Sequence, residues 1–137
     1  MNASKKLAAL GAAFVIAALA VALVAAPATA TRTVRIPSKI SIKSQSLKFS
    51  GHVTAGKYEP CVQQRKVTLF RVFSDGSNQA VGHTTTNNKG GWTITPQGSA
   101  GISLSRFFAR VKKESQGTAG TIYVCKAARS RTIKPTT

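Results

Sequence analysis

The chain has 137 residues and sets 20 Lys plus Arg against 3 acidic residues, a formal charge of +17. Glu59, Asp75, Glu114, His52 and His83 are a thin supply of acid and base groups, which argues against paired-carboxylate glycosidase chemistry and against an oxygen-ligated calcium site. So strong a positive field draws in anionic polymers generally, from nucleic acid to envelope polymers and acidic polysaccharide, and says nothing about fold.

Residues 1–30 read as an export signal. Lys5 and Lys6 form a positive start, residues 7–26 are an unbroken apolar run, and Pro27-Ala-Thr-Ala30 supplies an A-x-A cleavage pattern. A segment of this length could also stay uncleaved as a membrane anchor; cleavage after Ala30 is the preferred reading, leaving no membrane span. Either way the remaining chain lies outside the cytoplasm, secreted or extracytoplasmic, as one domain of common size. Cys61 and Cys125 are then expected to pair, because an even count in an oxidising compartment reads first as a disulfide, and neither has the His or acidic neighbours of a metal ligand or catalytic thiol. Closing a loop of 64 residues is worth roughly 4 kcal/mol on the chain-entropy account.

Residues 31–39 are basic, contain Pro37 and lack a clear period, so they read as a linker or a short edge strand. A period of two begins at Ile40 and Ile42 and continues through Leu47, Phe49, Gly51 and Val53, as two strands or one with a break at 43–46. Residues 55–60 form a loop. Residues 66–73 are the strongest strand, with Val67 and Leu69 inward, followed by a Ser-Asp-Gly-Ser-Asn turn at 74–78. A strand over 79–86 leads to Asn87-Asn-Lys-Gly-Gly91, the clearest hairpin turn, and then to a strand over 92–95. Residues 96–105 are a Gly- and Ser-rich loop. Residues 106–112 form a strand with Phe107, Ala109 and Val111 on one face, 115–120 a turn, 121–125 a strand, 130–133 a last strand and 134–137 a frayed tail. No helical period appears after residue 30. The expected fold is an all-β, two-sheet antiparallel sandwich of seven or eight short strands over residues 40–133, preceded by the signal-peptide helix, with a partly closed barrel as the other arrangement.

Val67-Thr-Leu-Phe-Arg, then Val81-Gly-His-Thr-Thr-Thr, then Asn88-Lys-Gly-Gly-Trp-Thr-Ile94 resembles the carboxypeptidase regulatory-like, or transthyretin-like, β-sandwich domains with their "V-x-L" and "T-x-x-x-G-x-W/F" elements. Phe107-Phe-Ala-Arg-Val111 is similar to their later "Y-x-A-x-V" strand, and the likeness covers roughly residues 46–126. Where those domains often carry an acid in the hairpin, this chain has Asn87 and Asn88. The resemblance implies an immunoglobulin-like accessory domain that stabilises, spaces or binds, with no catalytic residue. No cofactor is expected, and no metal either, because two histidines need at least one more ligand and the chain is poor in acids.

Trp92 is expected in the core. Phe70, Val72 and Phe108 take the phase opposite Val67, Leu69 and Phe107, where they would be exposed or cover a second apolar surface. The basic residues form no run of five, but strand alternation puts Arg106, Arg110 and Lys112 on one face and Arg129 and Arg131 on another. Such rows are either a polyanion-binding stripe or a solvated sheet face. The expected function is therefore a non-enzymatic binding or adhesion module that contacts an anionic envelope or extracellular polymer and binds nucleic acid only nonspecifically. An interaction domain for another exported protein, using the Phe70, Val72 and Phe108 surface or an open sheet edge, is the second reading. A small hydrolase, needing His52 or His83 to meet an acid and a nucleophile, is the third.

Overall fold

The computed structural model describes residues 30–97 and 104–136; residues 1–29 of the expected export signal, residues 98–103 of the expected Gly- and Ser-rich loop and Thr137 lie outside them. The described chain is all β apart from one 3-10 turn at Glu59–Cys61, and none of its helices is long and apolar enough to cross a membrane. Its strands are β1 (Arg32–Ile36), β2 (Lys39–Ile40), β3 (Lys43–Gln45), β4 (Lys48–Thr54), β5 (Lys66–Val72), β6 (Asn78–Thr85), β7 (Gly91–Ile94), β8 (Arg106–Val111), β9 (Glu114–Thr118), β10 (Thr121–Cys125) and β11 (Ala128–Arg129).

Two of the sheets enclose the core, an arrangement consistent with an all-β sandwich. In the first, β2 and β3 run in one register along one edge of β4 while β7 takes the other edge. The second has the order β11-β8-β5-β6, all antiparallel. Alternation sends Phe49, Val53, Trp92 and Ile94 inward from the first and Val67, Leu69, Phe107, Ala109 and Val111 from the second, and the Phe49 and Phe107 rings meet with centroids 4.6 Å apart. Gly51 lets the chain close up: a Cβ there would strike the Ser41 carbonyl and the Trp92 ring.

Several elements differ from the sequence reading. Residues 32–36, open between linker and edge strand, form β1 and pair in parallel with β10. Leu47 does not extend the strand pattern; with Ser46 it makes the two-residue turn between β3 and β4, at φ 62° and 49° respectively, and its half-buried side chain packs on the core. Asn87–Gly91 does turn the chain, but not within one ladder: β6 pairs with β5 and β7 with β4, so the turn passes from one sheet to the other. Gly90 is required there, since its φ is 81° and a Cβ would meet the Val53 carbonyl. Residues expected to turn at 115–120 instead supply β9, a polar edge strand whose lack of apolar alternation hid it. The last strand lies earlier than 130–133: β11 covers Ala128–Arg129, and beyond it Ser130 donates its N–H to the Ala109 carbonyl at 2.9 Å and Ile133 forms a bridge with Phe107.

β1, β10 and β9 form a third, three-stranded sheet, whose strands contact one another far more than they contact the sandwich. It has a small cluster of its own, with Cys61, Cys125 and Ala55 buried and Ile36, Tyr58 and Val62 packed around them.

Candidate anion-binding face

Because β8 alternates, the residues between its core positions look the other way. Arg106, Phe108 and Arg110 point to the outer face of the β11-β8-β5-β6 sheet, and register extends that face into rows. Arg106 stands beside Val72, Phe108 beside Phe70, and Arg110 between Thr68 and Arg129. His83 follows Thr68 in the same row. Lys66 and Lys112 line a depression of about 350 Å³ with Thr68 and His83 at one end. Arg106, Arg110, Lys112 and Arg129, expected in two separate groups, thus belong to one face. Arg131 lies past the end of β11 at Arg129 and is exposed, and Ser130 between them is buried, its hydroxyl accepting from the Ala109 N–H at 2.8 Å.

The aromatic part of this face is organised. Phe70 and Phe108 stack with centroids 5.1 Å apart and planes 12° apart, and the Arg129 guanidinium lies 3.8 Å from the centre of the Phe108 ring. Covered from both sides, Phe108 is only 4% exposed, and Phe70 and Val72 are half-buried, so the three do not form an open apolar patch. Two shallow depressions flank Arg110: one of about 430 Å³ with Asn78, Phe108, Ala127, Ala128 and Arg129, and one of about 370 Å³ with Thr68, Phe70, Lys112, Lys113 and Ala127.

The acids are elsewhere. Glu59 is exposed in the 3-10 turn. Asp75 sits in the β5–β6 turn, where its carboxylate accepts the Ser77 hydroxyl at 2.6 Å and the Ser77 N–H at 2.8 Å; these two bonds, the hydroxyl first, hold its pKa below the usual aspartate range. Glu114 opens β9 and pairs with a buried arginine, Arg65, at 3.6 Å.

Arg65, one basic residue among 20 in the sequence, is completely buried. It donates through Nη1 to the Cys61 carbonyl at 2.5 Å and the Ser38 hydroxyl at 3.3 Å, and through Nη2 to the carbonyls of Lys112 at 2.7 Å and Lys126 at 3.1 Å. Burial lowers its pKa, and the Glu114 charge works against that. Its backbone N–H bonds the Thr86 hydroxyl at 2.9 Å, which in turn donates to the Val62 carbonyl. Cys61 and Cys125 form a disulfide with their Cα atoms 5.3 Å apart, as their even number led one to expect.

His52 and His83 are exposed on different sheets, on β4 and β6. His52 borders a depression of about 680 Å³ lined mainly by Ser, Thr, Asn and Gln with Lys43, and no carboxylate lines it. Among the described residues no cluster of His, Cys, Asp and Glu has the make-up of a metal site. Comparison with protein-family models, curated proteins and solved structures finds no match to this chain.

Proposed function

We propose that the protein is an exported, non-enzymatic β-sandwich module of the immunoglobulin-like or transthyretin-like kind, and that it holds anionic polymers on the outer face of the β11-β8-β5-β6 sheet. The observation that carries this reading is the composition of one face: Lys66, Arg106, Arg110, Lys112 and Arg129 surround a stacked Phe pair, and none of the chain's three acids stands on its strands. Cations gathered on a rigid sheet raise the local concentration of a polyanion and release its counterions on contact, so binding is steeply dependent on salt. The disulfide and the A-x-A pattern at Ala30 support a site of action outside the cytoplasm.

The test is retention on immobilised anionic polymers and envelope fractions over a salt gradient, beside a basic protein of matched size and charge. The expected result is elution at higher salt than the control on at least one polymer, with the difference lost when Arg106, Arg110 and Lys112 are changed to Gln. Elution with the control on every matrix would overturn the proposal and turn attention to an apolar protein contact, which salt weakens far less.

A further inference from the structure

Within that face, and resting on the reading of it as an anion-binding surface, the geometry points to a discrete site for a tetrahedral oxyanion, a phosphate or sulfate group, held between Arg110 and Arg129. The two arginines are direct cross-strand partners at the β8–β11 edge and both line the same depression of about 430 Å³. Like charges placed opposite one another on a sheet repel, and here no acid lies on the face to relieve them. Arg129 is further constrained, because its guanidinium is laid on the Phe108 ring at 3.8 Å, which shields one of its faces and leaves its N–H edges as the polar surface. A planar carboxylate has two oxygens and satisfies one guanidinium fork. A tetrahedral oxyanion has enough oxygens, set in three dimensions, to accept from two forks at once, and its double charge matches two cations. The small side chain of Ala127 leaves the depression open, and Asn78 at its margin offers an amide. The site therefore favours phosphate- or sulfate-bearing polymers over carboxylate ones.

The experiment is thermal unfolding of the protein in sodium phosphate, sulfate, acetate or chloride at matched ionic strength, with two-dimensional NMR of the arginine Nε–H groups as a second readout. Millimolar phosphate and sulfate are expected to raise the melting temperature by a few °C over chloride, with acetate near chloride, and to move the Arg110 and Arg129 Nε–H signals ahead of those of the other arginines. Arg129→Lys keeps the charge and loses the fork, and Arg110→Gln loses charge and fork; each is expected to remove at least half of the shift. Equal stabilisation by acetate, no stabilisation by either dianion, or a shift that survives both variants would overturn the site. Elution from polyphosphate and dextran sulfate against polygalacturonate then separates the two sources of the group, with stronger retention expected on the first two and equal retention on all three counting against the site. Retention above the basic control with no phosphate or sulfate effect would leave the face standing without this site. A phosphate or sulfate effect without such retention would leave this site standing without the polymer reading.

Discussion

Between the two four-stranded sheets, Phe49, Val53, Val67, Leu69, Trp92, Phe107 and Val111 bury large apolar side chains against one another, whereas the β1-β10-β9 sheet encloses only Ala55 and the two half-cystines with a few half-buried neighbours. The first region is held by area removed from water, roughly 25 cal/mol for each Å² of apolar surface. The second has too little such surface and is tied instead at its crossings to the sandwich. Lys112 lies between β8 and β9, Lys126 between β10 and β11, and Ser38 between β1 and β2, and Arg65 bonds all three. The Cys61 carbonyl that also accepts from Arg65 belongs to the disulfide to the end of β10. Two further ties act across the same seam: the Tyr58 and Tyr123 rings stack with centroids 4.4 Å apart, and the Gln116 amide donates to the Pro60 carbonyl at 2.7 Å. A charged group and a covalent bond can thus take the place of a core where a sheet projects from one.

The sharpest way to break the comparison is to remove the covalent tie. Changing both Cys61 and Cys125 to Ala is expected to cost roughly 4 kcal/mol from the 64-residue closure. Urea unfolding would measure the loss. Hydrogen exchange should rise first in β9 and β10 and much later in β5 and β8. Exchange that rises evenly through all of them would mean that the third sheet has no separate weakness.

Removing the charged tie comes next in size. Arg65→Met fills similar space but leaves the carbonyls of Cys61, Lys112 and Lys126 without their donor and Glu114 without its cation. A buried acceptor left without its partner costs about 1–3 kcal/mol, so losing three should cost about 3 kcal/mol or more, and Arg65→Lys should recover only part of it, because one ammonium cannot reach carbonyls on three segments. Denaturation midpoints within about 0.5 kcal/mol of the parent for Arg65→Met would show that the crossings hold themselves.

The same contrast explains what could be read from the sequence. The period-two runs around Phe49, Val67 and Phe107 announce strands with one buried face, and the even cysteine count announces the disulfide, because both signals are local or compositional. β9 is invisible since Glu-Ser-Gln-Gly-Thr buries no apolar face, and the pairing of β1 with β10 is a non-local parallel contact over a separation no pattern encodes. On the candidate face, alternation within β8 puts Arg106 and Arg110 together, but only the cross-strand register adds Arg129, and only the stacked rings show why Phe108 is covered. Arg65 had one faint sign, its position four residues after Cys61 and directly before the strongest strand, which no rule distinguishes from an exposed loop arginine.

The smallest expected effect concerns the turn at the far end of the sandwich, where a fully exposed group should matter little to either region. Asp75 is held below its usual pKa by the Ser77 hydroxyl and N–H, and Gly76 takes the φ of 85° that the turn needs. A carboxyl whose folded pKa is depressed contributes stability that is fully present above its unfolded value, near about 4, and is lost as pH falls through the folded one. Asp75→Asn keeps an acceptor oxygen and removes the titration. The difference in stability between parent and variant should therefore be constant from pH 5 to 8 and shrink below about pH 4, with hydrogen exchange in β9 and β10 unchanged between the two proteins. If the difference instead persisted undiminished at pH 2, the bonds from Ser77 would owe nothing to the carboxylate charge, and the neutral amide would have to be losing the turn by its geometry.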